Sequence, residues 1–248
     1  LELGCRTIAV AGGDGTQFEA LNGALAAPSE RQEPICFAAL PLGTGNSFAR
    51  DLGIRSTDDA FGAWQHGVAR AVDVVAAEHD EGLLHYVNLL SLGFSATVGA
   101  LTNRRFKPLG SAGYSAAVLS SVVRLQQPSF PLRLDAQPLD TRPCTLLAFC
   151  NSRLTGGAMQ MAPHARIDDG SLDFVRIGAL SRRRLLACFP KIFRGTHLAM
   201  PETEHAIVRE VELALDEAVD AMVDGEILRL RLRRVRVLPG AVHFMAAR

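Results

Sequence analysis

The rhythm of hydrophobic and polar positions changes once along this chain. Residues 8–25 read IAVAGGDGTQFEALNGAL: an apolar run from Ile8 to Ala11, a stretch of small and polar residues, then Phe18, Leu21 and Leu25 at helical spacing. That succession predicts a strand, a tight loop and a helix. The same texture continues to about residue 68. Strands are expected at 7–11 and 35–40 and helices at 16–27, 45–53 and 58–67, with APSERQEP and PLGTG as turn material. Alternating strands and helices imply a mostly parallel sheet.

From about residue 70 extended stretches dominate, at 70–78, 83–92, 130–136, 143–150, 172–178, 206–215 and 227–238. Val211, Leu213 and Leu215 alternate with polar or small residues, and Leu228, Leu230 and Leu232 alternate with Arg229, Arg231 and Arg233. A period of two marks strands with one wet face. Helices are expected at 95–104, 112–125 and 181–194. The expected fold is α/β plus β in two domains, an α/β domain over 1–68 and a β-sandwich domain with a few helices over 69–248. No internal repeat or low-complexity linker interrupts the chain.

Composition narrows the function classes. The 248 residues are 48% hydrophobic, enough for a sizeable core, and the formal net charge is zero, which speaks against bulk nucleic-acid binding. The five cysteines (5, 36, 144, 150 and 188) are odd in number and form no C-x-x-C, so a reduced, cytosolic setting is expected. The histidines lack zinc-ligand spacing. The longest nearly uncharged stretch, 82–101, contains His85, Asn88, Ser91 and Gly93 and fits a buried strand and helix better than a membrane span. No signal peptide is visible. The chain opens at Leu1 with almost no lead-in before its first strand, and reads as beginning inside a domain.

Four constellations carry candidate chemistry. In the loop Gly12, Gly13, Asp14, Gly15, Thr16, glycines permit close backbone approach, and a helix start offers unpaired N–H groups to an anion. A carboxylate beside phosphate needs a cation between them, so Asp14 is expected to hold Mg²⁺ while Gly13, Gly15 and Thr16 donate; the plainer reading is an Asp that caps its own helix. The segment LPLGTGNSFARDLGI, 40–54, repeats the strand–loop–helix scheme, with Gly43 shaping the turn and Thr44 and Asn46 as candidate nucleotide contacts or simple caps. In APHARIDDGSLDFVRIG, 162–178, Asp168 and Asp169 suit a hard cation, although D-G is also a common turn. In AMVDGEILRLRL, 221–232, Asp224 and Glu226 flank Gly225, either as a hairpin turn or as a carboxylate pair that supplies a general base. Neither the P-loop nor the dinucleotide fingerprint occurs.

In this order AVAGGDGT, LPLGTGNSFARDLG, APHARIDDGSLD and MVDGE resemble the diacylglycerol kinase catalytic family, which includes bacterial lipid kinases and sphingosine and ceramide kinases. NLLSLGFSATV at 88–98 and GTHLAMP at 195–201 add to the likeness, which covers nearly the whole chain. The resemblance implies a nucleotide domain and a β-sandwich domain with ATP and lipid meeting between them, and transfer of the γ-phosphate to a lipid hydroxyl. It implies that Gly13 through Glu19 and Thr44 line the ATP site and that Asp14 organises the catalytic magnesium. Asp169 would bind a structural cation with the carbonyls of Arg166 and Ser171, and the base would come from Asp224, Glu226 or both.

The chain departs from the family pattern in places. Gln17, Phe18 and Glu19 stand where many relatives have L-N-E, and Ser47 where many have Asp, with Asp51 one turn on. Relatives begin with a further strand and an N-P-x-S-G-like loop, which this chain lacks. The stretch SRRRLLACFPKIFRG, 181–195, sets Arg182, Arg183, Arg184, Lys191 and Arg194 around Leu185, Leu186, Phe189, Ile192 and Phe193. It reads as a basic amphipathic helix for a peripheral membrane surface, or as an ordinary helix with a solvated face. The expected partners are ATP and a lipid alcohol, no nucleic acid, and a second copy in a homodimer. An NAD kinase-like or other small-molecule kinase and a catalytically silent lipid-binding protein are the alternatives.

Overall fold

The computed structural model describes residues 7–26, 34–102 and 110–247. Cys5, most of the turn expected at 27–34 and the end of the helix expected at 95–104 lie outside the described residues.

β1 (Thr7–Gly12) leads into α1 (Asp14–Ala26), and β2 (Cys36–Pro41) into α2 (Ser47–Asp51) and α3 (Thr57–His66). There follow β3 (Val68–His79), β4 (Gly82–Tyr86), β5 (Leu89–Gly93), α4 (Phe94–Leu101), α5 (Gly110–Val123), β6 (Leu132–Leu134) and β7 (Cys144–Cys150). A small hairpin, β8 (Leu154–Thr155) and β9 (Met159–Gln160), precedes β10 (Leu172–Gly178) and α6 (Arg182–Cys188). The chain ends with β11 (Thr203–Val208), β12 (Glu210–Leu213), β13 (Val219–Val223), β14 (Glu226–Leu230) and β15 (Leu232–Ala246). The helix expected over 181–194 is α-helical only to Cys188. Pro190 lacks the N–H that an α-turn needs there, and Phe189–Arg194 tightens to a 3-10 helix. The stretches expected at 83–92, 206–215 and 227–238 each divide into two strands.

Among the described residues seven strands form one sheet in the order β1-β2-β15-β12-β6, with β3 paired to β15 and β4 to β3. β1 and β2 are parallel, and β15 joins β2 in parallel through His243 and Phe244. The second sheet, β11-β10-β7-β5-β13-β14, is antiparallel throughout. β3 and β15 pair along almost their whole length, with a break in register between Leu238 and Val242. This ribbon runs from the α/β part into the sandwich.

Strand alternation divides the apolar residues among three cores. On β3, Val72 and Val74 join the α/β core with Leu21, Phe37 and Phe48, whereas Val75 and Ala77 point the other way into the space between the two sheets. On the second sheet, Leu90, Leu92, Leu147 and Phe149 fill that space, and Leu89, Leu146, Ala148 and Val175 turn outward beneath α4, α5 and α6. The second sheet is therefore buried on both faces, which explains why β7 is apolar and buried at every residue but Thr145, itself buried.

Phe244 is fully buried, stacks on Phe37 at 5.2 Å and meets Phe48 edge-on at 5.0 Å. It pins the end of β15 to β2 and α2. Phe244→Ala is expected to cost about 3–5 kcal/mol, measured as a lower urea midpoint at unchanged slope.

Candidate active site

Because β1 and β2 are parallel neighbours, the loops that follow them meet. A Cβ on Gly43 would overlap the Cα of Gly13, and one on Gly13 would lie 3.0 Å from the Cα of Gly43. No residue with a side chain fits at that contact. Leu42 N–H donates to Gly12 O at 3.1 Å and ties the loops together. Asn46 sits in the left-handed region (φ 48°); its Oδ1 accepts from Gly43 N–H at 3.0 Å and its Nδ2 donates to Gly43 O at 2.7 Å. The side chain expected to contact nucleotide is thus engaged in holding its own loop. Thr44 and Thr16 are exposed, as is Glu19.

Asp14 opens α1, but the helix it caps is α2. Its Oδ2 accepts from Ser47 N–H at 3.0 Å and its Oδ1 from Phe48 N–H at 3.2 Å. The plainer sequence reading made this residue a cap on its own helix; the side chain instead caps the neighbouring helix. A carboxylate offers about four acceptor positions, so two N–H donors leave it capacity for a cation. The first helical bond of α1 is Gln17 N–H to Gly13 O at 3.1 Å. The N–H groups of Asp14, Gly15 and Thr16 precede it and are the unpaired donors of the helix start.

The third strand end is the hairpin of β13 and β14. Val223 pairs with Glu226, leaving the two-residue turn Asp224–Gly225 with φ of 46° and 94°. Positive φ at both positions is what an Asp-Gly hairpin of this length requires. The turn separates two acids by environment. Asp224 is buried: Oδ2 accepts from Val87 N–H at 3.1 Å, and Oδ1 from Asn88 N–H at 3.0 Å and Leu89 N–H at 2.9 Å. Burial, with the Asp14 carboxylate nearby, pushes its acid up to about 7 against the pull of the three donors. Glu226 is exposed, and a Cβ built on Gly15 would run into its Oε1. Its carboxylate therefore lies over the first turn of α1.

Buried polar residues brace this junction. Asn151 Nδ2 donates to Asp73 O at 3.0 Å and to Val87 O at 2.8 Å, and Ser152 Oγ bonds to Asn88 Oδ1. Ser47 Oγ accepts from Gly157 N–H at 3.0 Å, which joins the β8–β9 hairpin to the glycine loops. Asp51 is taken by Arg153, whose N–H donates to it at 3.0 Å and whose guanidinium forms an ion pair with it, so it does not replace the acid absent at Ser47.

The Asp169 turn lies elsewhere. Asp169 Oδ1 accepts from Ser171 N–H at 3.1 Å and its hydroxyl at 2.6 Å, while Asp168 pairs with Arg70 at 2.8 Å and Arg166 at 3.5 Å. Buried Asp73 accepts from Gly170 N–H at 2.6 Å and Gly240 N–H at 2.8 Å and clamps this turn to β15. The sequence reading passed over Asp73, Asn88, Asn151 and Ser152. The available signal was a single polar residue inside an apolar run, as in AVDVVAA. Among the described residues no group of three or more His, Cys, Asp or Glu side chains is placed to hold a metal. The site at Asp14 fits an ion that takes one or two carboxylates and completes its shell with phosphate oxygens and water, as magnesium does. At the second expected cation site Asp169 is bonded to Ser171 and Asp168 is engaged by Arg70 and Arg166.

An apolar cavity opens under the helices of the second sheet, lined by Phe94, Val98, Met161, Leu185, Ile192 and Met222 among others. Met222 and Thr155, also in its wall, belong to β13 and β8, and the turns that follow these strands carry Asp224 and Gly157. Its buried His197 bonds through Nε2 to Met161 O at 3.0 Å, and Nδ1 has no partner among the described residues. Burial pulls its imidazole below its ordinary value, so it is neutral at pH 7.

The folded value of Asp224 lies above its ordinary 3.8, so between about pH 4 and 7 the native protein holds a proton that the unfolded chain has released. This residue's contribution to stability is full below that window and is lost as pH rises through 7. Unfolding curves of wild type and Asp224→Asn, measured from pH 4 to 8, are expected to differ by an amount that falls in that direction.

Residues 1–77 match the diacylglycerol kinase catalytic domain, and residues 88–246 the YegS C-terminal NAD kinase beta sandwich-like domain. The chain is 28% identical over 248 residues to a diacylglycerol kinase of Mycobacterium tuberculosis, covering 99% of this chain and 78% of that protein. It is 31% identical over 245 residues to a YegS-like lipid kinase of Pseudomonas aeruginosa, covering 98% and 77%. Two solved Bacillus anthracis structures described as diacylglycerol kinases share the fold, with TM-scores of 0.74 at 22% identity and 0.67 at 19%; each covers 97% of this chain, and 78% and 76% of the other. The two matched domains and the 31% identity place it: the chain belongs to the diacylglycerol kinase and YegS-like lipid kinase family.

Proposed function

We propose that this kinase transfers the γ-phosphate of ATP, in a magnesium-dependent reaction, to the hydroxyl of diacylglycerol or a related lipid alcohol. The observation that carries the reading is the exposed Glu226 carboxylate over the start of α1, where two glycine loops touch and an apolar cavity begins nearby. A small polar acceptor would have no use for a wall of leucine, isoleucine, methionine and phenylalanine.

The phosphates lie on the N–H groups of Asp14, Gly15 and Thr16 and against the loop at Gly43 and Thr44, with the positive end of α1 behind them. Asp14 would hold the magnesium ion, whose charge offsets the negative charge growing on the transferring phosphate. Glu226 takes the proton of the lipid hydroxyl. Asp224, with both oxygens engaged by the backbone of residues 87–89, cannot reach a substrate; it is a positioning residue that anchors the hairpin tip and so sets where Glu226 stands. The Asp169 turn serves the frame rather than the transfer, and a cation there rests on the family resemblance.

Phosphate transfer from labelled ATP to diacylglycerol in mixed micelles, with magnesium, tests the reading; no product from wild-type protein sinks it. Glu226→Gln is expected to lower kcat by about 10²–10⁴-fold with the circular dichroism spectrum unchanged. Two alanine substitutions should separate. Gly15→Ala pushes only the mobile end of Glu226 aside, so kcat falls while stability holds. Gly43→Ala strikes the Gly13 backbone, so both ATP binding and the unfolding midpoint fall. Equal effects of the two on stability would contradict the assignment.

A further inference from the structure

Positive charge is segregated in this neutral chain. Residues 174–201 contain no Asp or Glu but carry Arg176, Arg182, Arg183, Arg184, Lys191 and Arg194, and residues 82–134 also lack any acid. The fold brings these two segments together: α4 and α5 from one and α6 from the other cover the outer face of the second sheet, and α5 packs on α6.

α6 and the 3-10 helix after it form a strap with two sides. The inner side, Leu185, Cys188, Phe189 and Ile192, is a wall of the apolar cavity. The outer side exposes Arg182, Arg183, Lys191 and Arg194 together with Leu186 and Phe193, 44% and 42% exposed, and neighbouring α5 exposes Leu119 and Val123 at 60% and 65%. Arg184 is paired with Glu202 at 2.7 Å and Arg176 is buried against Asp140. Among the described residues Arg182, Arg183 and Arg194 make no ion pair, and Lys191 feels the charge of Glu202 without pairing to it.

We infer that the outer side of this strap docks the protein on an anionic lipid bilayer, with Arg182, Arg183, Lys191 and Arg194 on the headgroups and Leu186 and Phe193 inserted at the acyl boundary. The inference rests on reading the cavity as the seat of a lipid chain. Charge complementarity selects an anionic surface. Exposed leucine and phenylalanine among unpaired cations match the layered polarity of a bilayer surface, since the cations stay at the headgroups while the apolar side chains leave water for the acyl boundary. Continuity completes the case: the wall that meets the membrane is the wall of the chamber a lipid chain would enter.

Flotation with phosphatidylcholine vesicles, with and without phosphatidylglycerol and without ATP, tests it. Wild-type protein is expected to float with the anionic vesicles and to be released as salt rises. The triple variant Arg182→Glu, Arg183→Glu, Arg194→Glu is expected to partition at least about tenfold less, and Leu186→Ser with Phe193→Ser to weaken binding as well. Wild-type protein that ignores anionic vesicles, or vesicle binding unaltered by either set, overturns the docking face. Phosphorylation of micellar diacylglycerol by the same proteins reports on the kinase reading separately, since none of these residues is in the catalytic machinery.

Discussion

Two polypeptide backbones touch at Gly13 and Gly43, and the site is built outward from that contact. Parallel pairing of β1 and β2 sets the strands at the spacing of a sheet, and the loops beyond them can close on each other only if neither carries a side chain. With the loops in contact, the Asp14 carboxylate reaches the start of α2, and Ser47 presents its hydroxyl to Gly157. A single steric condition thus fixes the start of two helices and the attachment of the β8–β9 hairpin. The acid that a bound cation would need is held rigid before any ligand arrives.

The β13–β14 hairpin applies the same economy to its two acids. A two-residue turn sends neighbouring side chains into different surroundings, one into a nest of three backbone N–H groups and one over the loop of another element. The buried member shares a negative neighbourhood with Asp14, which raises its affinity for a proton. The exposed member keeps its lone pairs for whatever enters the groove. Two residues of the same chemistry, separated by one glycine, come to sit in different environments because the backbone between them reverses.

Much of the fold was legible locally. β1, α1, β2 and α3 fall close to their expected bounds, because apolar periodicity and glycine or Ser-Thr boundaries are properties of neighbouring residues; Ser56 and Asp59 complete the capping box of α3. The expectation failed where distant parts decide. Nothing near Asp224 announces that residues 87–89, the turn between β4 and β5 and the first residue of β5, will enclose it, so the choice between the two acids could not be made from the sequence. Asn46 has the composition of a ligand contact, and only its loop geometry shows both ends of its amide in use. At Pro239–Gly240 the pattern looks like the end of a strand, but the chain bends there and resumes pairing at Val242. One signal was present and passed over: a lone acid in an apolar strand, Asp73, which proves to be a clamp.

The ribbon of β3 and β15 has a consequence for assembly. In the first sheet β15 lies between β2 and β12, and it leaves the ribosome after every other described strand. Until it arrives, β2 has an open edge and Phe37 and Phe48 lack the ring that covers them. The glycine loops therefore take their final support from a strand that follows every other described strand, and their side of the molecule cannot mature ahead of the sandwich. Such late, long-range closure slows folding and leaves an unpaired strand exposed meanwhile, so a nascent chain of this design has reason to be shielded until β15 has emerged.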